Sequence, residues 1–352
     1  MTRQDTKRIY VGGVAVGGGA PVTVQSMCCT KTSDMESTLA QLNRLSAAGC
    51  DIARLAVPDE DAAEALPEIV RQSPLPLVAD IHFDYRLAIS AARAGVSKIR
   101  INPGNIGGRE KVREVASACT DRGIPIRIGV NGGSLEKDIL AEYGGPTPEG
   151  MCKSAERHIE MLTAVGFDAI CLSLKASDVP LTVEAYRMAA GIFPYPLHLG
   201  VTEAGTAYNG TIASSVGIGT LLMEGIGDTI RVSLTDEPEE EVRAGIAILK
   251  AAGLRRGGIR FVSCPTCGRT EIDLISTAKE VEKALHGIDR DITVAVMGCA
   301  VNGPGEASRA DYGIAGGKGY GILFKKGQTV GRVPAEGLAR ALADLIISES
   351  GN

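Results

Sequence analysis

From residue 23 to about 250 the pattern of apolar and polar positions repeats. A short β-branched run ends in a polar loop, and an Ala- and Leu-rich stretch with helical spacing follows. The runs are TVQSM (23–27), IARLAV (52–57), PLVADIHF (76–83), KIRINPG (98–104), PIRIGVN (125–131), AICLSLKA (169–176), LHLGVTEA (197–204) and TIRVSLT (229–235). Amphipathic stretches such as MESTLAQLNRLSAAG (35–49) and ERHIEMLTAVG (156–166) fill the gaps. Eight strand–helix units of this size predict an N-terminal (β/α)8 TIM barrel over residues 1–254. An open doubly wound sheet is the alternative, but no G-x-G-x-x-G follows the first strand. The early GGVAVGGGA is not a phosphate loop, because no GK[ST] follows it. It predicts instead a hairpin over 8–24 that precedes the first barrel strand and plugs the barrel floor.

After a helical stretch at 238–252 comes LRRGGIR, a linker. Residues 259–352 then read as a small α/β domain, with strands at 259–263, 292–298 and 320–327 and helices at 270–286 and 334–348.

The barrel strands carry polar residues that a core would not choose. Residues two apart share a strand face. Asp80 therefore pairs with His82, Arg100 with Asn102, Ser173 with Lys175, Val201 with Glu203 and Arg231 with Ser233; Arg127 and Asn131 share a face, and Arg54 sits similarly. Most lie toward the strand C-termini, where barrel enzymes build their sites. Ion pairs tying strands together would account for one such arginine. Four Arg, one Lys and one His on one rim exceed the acids there, Asp80 and Glu203. Unpaired buried charge is costly, so the mouth wants an anion, and guanidinium forks suit phosphate or diphosphate oxygens.

Composition narrows the class. The chain has 352 residues, no Trp and a net charge of −5, so the basic rim is local and nothing attracts the whole chain to nucleic acid or an anionic membrane. No apolar run approaches the ~20 residues that span a bilayer, and the start lacks the apolar segment of a signal peptide. A cytoplasmic protein is expected, where thiols stay reduced. Of nine cysteines, Cys264 and Cys267 form C-x-x-C after one predicted strand, entering a helix, and Cys299 follows another in the same way. Two such loops can meet at one sheet edge. A closed zinc site needs four ligands, and His286 fits a solvated face. A [4Fe–4S] cluster takes three thiolates and leaves one iron for another ligand. Glu306, in the stretch GCAVNGPGE, is either that hard-oxygen ligand or a solvated loop carboxylate. Cys28 and Cys29 read as packing or loop thiols. Cys50, Cys119, Cys152 and Cys171 fall on predicted helices or strands and read as inert.

Taken in order, QSM, ADIHFD, IRINPGN, IRIGVNGGSL, LSLKAS, LHLGVTEAG, IRVSLT, CPTCGR and MGCAVNGPGE make the chain similar to the bacterial 4-hydroxy-3-methylbut-2-en-1-yl diphosphate synthase family, from near residue 8 to about 340. It departs from that family at Cys28 and Cys29, where Asn and Thr are usual. The resemblance implies reductive opening of 2-C-methyl-D-erythritol 2,4-cyclodiphosphate to 4-hydroxy-3-methylbut-2-enyl diphosphate and water, with electrons from flavodoxin or ferredoxin. It implies that Arg54, Arg100, Arg127, Lys175 and Arg231 hold the diphosphate, assisted by His82, Asn102, Asn131 and Ser233. It makes Glu203 the proton donor and Cys264, Cys267, Cys299 and Glu306 the cluster ligands. It also implies a homodimer with sites shared between subunits. The competing class is an aldolase- or pteroate-synthase-like phosphate-binding barrel with a structural zinc module.

Overall fold

The computed structural model describes residues 2–102, 104–288, 290–299 and 309–349. The chain divides into two compact units, Met1–Arg255 and Arg256–Asn352.

In the first unit a hairpin, β1 (Ile9–Val11) and β2 (Val14–Val16), precedes eight parallel strands. These are β3 (Thr23–Met27), β4 (Ile52–Ala56), β5 (Leu77–Asp80), β6 (Lys98–Ile101), β7 (Ile126–Asn131), β8 (Ile170–Lys175), β9 (His198–Leu199) and β10 (Thr229–Ile230). They pair in the order β8-β7-β6-β5-β4-β3-β10-β9, and a parallel bridge between Leu172 and Leu197 closes the barrel. The helices are α1 (Met35–Ala47), α2 (Glu60–Gln72), α3 (Tyr85–Ala94), α4 (Arg109–Arg122), α5 (Lys137–Tyr143), α6 (Pro148–Thr163), α7 (Val179–Ile192), α8 (Ala207–Met223) and α9 (Pro238–Ala251). Several start where the sequence supplies a cap. Asp34, Asp59, Asp84, Thr147 and Asp178 each accept a hydrogen bond from a backbone N–H of the first turn. Among the described residues no helix is long and apolar enough to cross a membrane.

The hairpin turns at Gly12 and Gly13, with Gly12 at φ +58°, and ends at Val16 rather than at residue 24. Its Ile9, Val11 and Val16 form one buried cluster with Ile52, Val78 and Cys171, near the start of the barrel strands. The floor is thus closed by apolar side chains. Strands β9 and β10 are two residues each, much shorter than the runs 197–204 and 229–235. The cause is a close approach beyond Leu199: a Cβ on Gly200 would lie 2.6 Å from Lys175 Nζ and 2.7 Å from the Arg231 carbonyl. The chain there turns into loops that build the mouth.

The second unit is a five-stranded sheet in sequence order: β11 (Ile259–Ser263), β12 (Ile292–Met297), β13 (Tyr312–Gly317), β14 (Tyr320–Lys325) and β15 (Gln328–Pro334). The first three are parallel and the last two antiparallel. Helices α10 (Leu274–Ala284) and α11 (Leu338–Ser348) share its main core, with Val281, Leu342 and Ile346 against Val294, Val296 and Ile314. Both helices begin four residues later than expected; Asp273 caps α10 through the Ser276 N–H. Strands β13 and β15 carry no apolar alternation strong enough to announce them. In β13 the glycines are needed for packing, since a Cβ on Gly313 would overlap the Phe324 ring.

Ile9→Ala should unplug the floor. Loss of a buried isoleucine side chain costs about 2–5 kcal/mol, read as a lower urea midpoint. An unchanged midpoint would show that the hairpin rides loosely on the barrel.

Candidate active site

Alternation along the strands puts a set of long polar side chains inside the barrel. Register aligns Met27 with Arg54, Asp80 with Arg100, Arg100 with Arg127, and Asn131 with Lys175. All of these but Met27 line a cavity of about 150 Å³ at the strand C-termini. Its walls include eight of the nine residues expected to bind the diphosphate substrate: Arg54, His82, Arg100, Arg127, Asn131, Lys175, Arg231 and Ser233. Asp80, Gly129, Val130, Ser173 and Thr202 complete it. Asn102 and Glu203 are not on these walls. The Asn102 carboxamide turns back to accept from the Gly104 N–H at 3.3 Å. Glu203 is exposed, in the loop after β9, with a left-handed φ of +52°.

The cavity is short of negative charge. Asp80 is the one carboxylate on its walls, 3.2 Å from Arg100 Nη1, 3.7 Å from Arg54 Nε and 3.9 Å from His82 Nε2. Burial pushes the Asp80 carboxyl up, but Arg54, Arg100 and His82 outweigh that and hold it below its ordinary value. The cations feel the reverse. Burial, then Arg100, draws Arg127 down to about 10. Burial, then Arg127 and Arg231, draws Lys175 well below the usual lysine range. Arg54 is lowered by burial and by Arg231, Arg127 and Arg100, with Asp80 acting against them. Its Nε and Nη2 point at the Met27 sulfur, 3.0 and 2.6 Å away, a weak acceptor. Nε and Nη1 of Arg127 have no hydrogen-bond partner among the described residues.

Deeper in the barrel the same shortage continues. Lys98 and His198 are fully buried, and neither Lys98 Nζ nor His198 Nε2 finds a partner among the described residues. Burial lowers Lys98 to about 8, and burial together with Arg127 and Lys175 keeps His198 neutral.

Two features were not legible from the spacing. The first is glycine. A Cβ on Gly129 would lie 2.5 Å from Arg100 Nε, and one on Gly200 2.6 Å from Lys175 Nζ, so these two positions are beds for cations. The second is Glu241 of α9, which pairs with Arg231 at 3.2 Å. The acid that meets Arg231 is thus Glu241, behind the cavity wall. It stands in the run EEE at 239–241, which reads as a solvated helix start; yet Glu239 and Glu241 are both buried.

In the second unit, β11 and β12 run side by side, with Ser263 opposite Val296. Cys264 and Cys299 therefore leave adjacent strand ends. The Gly298 N–H donates to Cys264 Sγ at 3.1 Å, and the Glu271 N–H to the Gly298 carbonyl at 2.9 Å. Cys267 lies in an exposed loop rather than at a helix start; the Arg269 N–H and guanidinium hold its thiol below the ordinary value. Cys299 is buried, and Glu306 lies outside the described residues. Among the described residues no three Cys, His, Asp or Glu side chains close on one point as a single metal ion requires. In a cubane each thiolate ligates a separate iron, so the sulfurs stand further apart. The N–H donor at Cys264 and a lowered thiol at Cys267 fit a thiolate-bound cluster. The other cysteines differ: burial pushes Cys28, Cys119 and Cys152 up to about 12 and Cys50, in the turn before β4, to about 11. Cys171 is buried in β8 and also raised, and Cys29 is exposed, its sulfur 3.0 Å from Gln41 Nε2.

Comparison with known proteins follows this division. Residues 6–246 match the GcpE TIM-barrel domain and residues 260–348 the GcpE protein C-terminal domain. The chain belongs to the GcpE family. Within it, the chain is 60% identical over 337 residues to a Geobacter sulfurreducens protein named 4-hydroxy-3-methylbut-2-en-1-yl diphosphate synthase (flavodoxin), covering 96% of each. A Clostridium tetani protein of the same name is 57% identical over 98% of this chain and 99% of its own. Among solved structures, type I 3-dehydroquinate dehydratase from Clostridium difficile superposes with a TM-score of 0.51 at 15% identity, over 70% of this chain and 97% of its own. That likeness shows the barrel fold of this GcpE chain alone.

Gly129→Ala should leave folding nearly intact, because the atom it displaces is the mobile end of Arg100. Binding of inorganic pyrophosphate, measured by calorimetry, should weaken about tenfold, the loss of one charge-assisted bond. Unchanged affinity would mean that Arg100 does not face the anion.

Proposed function

We propose that the chain catalyses the reductive ring opening of 2-C-methyl-D-erythritol 2,4-cyclodiphosphate to 4-hydroxy-3-methylbut-2-enyl diphosphate and water, in the non-mevalonate isoprenoid route, with flavodoxin as electron donor. The observation that carries this reading is the cation-lined mouth, with two Arg127 donors unpartnered among the described residues, in a chain 60% identical to a relative of that name. The pteroate-synthase-like barrel with a zinc module is not favoured, because family matches cover both units.

Each residue then has a task. Arg54, Arg100, Arg127, Lys175 and Arg231 take the diphosphate oxygens, and the low dielectric of the cavity strengthens every such contact. Asp80 stays ionised and keeps Arg54 and Arg100 from turning away. His82, Asn102, Asn131 and Ser233 add neutral hydrogen bonds, Asn102 after releasing its own backbone. The departing hydroxyl needs a proton to leave as water; Glu203 supplies it once its loop turns inward. A [4Fe–4S] cluster on Cys264, Cys267 and Cys299 would supply single electrons and Lewis acidity, with Glu306 as fourth ligand. The reading also places the chain in the cytoplasm, where those thiols stay reduced.

Anaerobically purified protein should be brown, hold about four irons per chain, bleach with dithionite and turn over the cyclic diphosphate. Cys264→Ala, Cys267→Ala or Cys299→Ala should lose iron and activity. Arg127→Ala should keep the iron and raise KM about ten- to hundredfold. Colourless protein with stoichiometric zinc would end this reading.

A homodimer with shared sites belongs to the same proposal. Helix α9 carries the chain back toward the barrel floor, and Arg255 is held there by Asp51 at 2.9 Å, just before β4. Strand β11 begins at Ile259, so the tether is a few residues, at about 3.5 Å each. Family resemblance is what supports the dimer, with each cluster unit serving the partner's mouth, and a two-fold pair is the simplest closed assembly of that kind. Mixing Arg127→Ala/Lys175→Ala protein with Cys264→Ala protein should restore activity as heterodimers form. Heterodimers verified by tagged pull-down but inactive would point to a site within one chain.

A further inference from the structure

Glu241 is not on the walls of the cavity, yet its carboxylate holds Arg231, which is. It stands on α9 and is 4% exposed. Its Oε1 accepts from the Leu234 N–H at 3.0 Å and from Arg231 Nη2 at 3.2 Å. Its Oε2 accepts from Ser26 Oγ at 3.0 Å and from Arg231 Nε and Nη2, both at 3.3 Å. One carboxylate thus joins β3, the loop after β10 and α9.

We infer that Glu241 is a positioning residue for the anion site: it grips the Nε–Nη2 edge of Arg231 so that the remaining nitrogen, Nη1, faces the mouth. The inference rests on the diphosphate reading of that mouth. Among the described residues the hydrogen-bond partner of Nη1 is the Met27 sulfur, a weak acceptor at 3.9 Å, so Nη1 keeps donor capacity for a phosphate oxygen. The bond to the Leu234 N–H fixes the loop that carries Ser233, a cavity wall. The charge of Glu241 also acts on Lys175, raising it against the pull of burial, Arg127 and Arg231. Asp80 cannot replace it, since Asp80 is divided among Arg54, Arg100 and His82.

A carboxylate this close to an anion site also opposes the anion. Geometry and charge therefore predict opposite signs for its removal. If net charge governed the site, Glu241→Gln would bind an anion more tightly. If Glu241 positions Arg231, the neutral variant binds more weakly despite its extra positive charge.

The test is binding of inorganic pyrophosphate by calorimetry to iron-loaded protein, with steady-state kinetics on the cyclic diphosphate. Glu241→Gln should bind pyrophosphate about tenfold more weakly and raise KM far more than it lowers kcat. Glu241→Asp, with the charge kept on a shorter arm, should show an intermediate loss; it serves if the glutamine variant does not fold. The double variant Glu241→Gln/Arg231→Ala should bind no worse than Arg231→Ala alone, since both losses run through one guanidinium. Equal or tighter binding by Glu241→Gln, wild-type behaviour of Glu241→Asp, or additive losses would overturn the inference. Arg231→Ala binding like wild type would instead overturn the diphosphate reading beneath it.

Discussion

Five cationic side chains share the mouth of this barrel with one carboxylate on its walls and one behind it. The rest of the first unit is organised around that imbalance. A buried charge that lacks a partner is strongly destabilising, so the cations persist only because neighbouring strands hold them in register. The lowered proton affinities of Arg54, Arg127 and Lys175 follow from burial and mutual repulsion. A dianionic or more highly charged ligand relieves both at once. Binding energy for such a ligand is thus built into the fold before the ligand arrives.

The strands accommodate this crowd by giving up side chains. Gly129 lies under Arg100 and Gly200 against Lys175. Pairing along β9 and β10 ends after two residues, and the freed chain becomes the loops that bear Thr202 and Ser233. The opposite end of the barrel pays no such penalty. There the β1–β2 hairpin closes the floor with Ile9, Val11 and Val16 against the barrel interior, and the polar layer above it stays sealed from below.

The second unit applies a different logic to its cysteines. Parallel pairing of β11 and β12 sets Cys264 and Cys299 at neighbouring strand ends, and the Gly298 N–H donates to the sulfur of Cys264. Cys267 gains a cation, Arg269, at its side. A thiolate is favoured at Cys267 by hydrogen bonds and charge. In the first unit burial in apolar surroundings keeps Cys28, Cys50, Cys119 and Cys152 as thiols.

Much of this was legible in the chain itself. Eight β-branched runs spaced by helical stretches gave the barrel, because both periodicities are local. Alternation within each run gave Arg54, Arg100, Arg127, Asn131, Lys175, Arg231 and Ser233 as inward-facing, because strand geometry fixes which side a residue takes. The lengths of β9 and β10 were not legible, since they are set by a close approach between strands far apart in sequence. Nor were β13 and β15, whose glycines and polar residues follow the sheet's packing rather than an apolar alternation. Asn102 shares a strand face with Arg100 by spacing but turns to its own loop, and Glu203 shares one with Val201 but sits in a loop of left-handed backbone. Glu241 was hidden for the same kind of reason. On a helix, three consecutive glutamates look solvated, and only the packing of α9 against β3 and β10 sets one of them behind Arg231. Sequence determined which residues could face the barrel axis; tertiary structure alone decided which carboxylate meets which cation, because that depends on distances between segments the chain does not place next to one another.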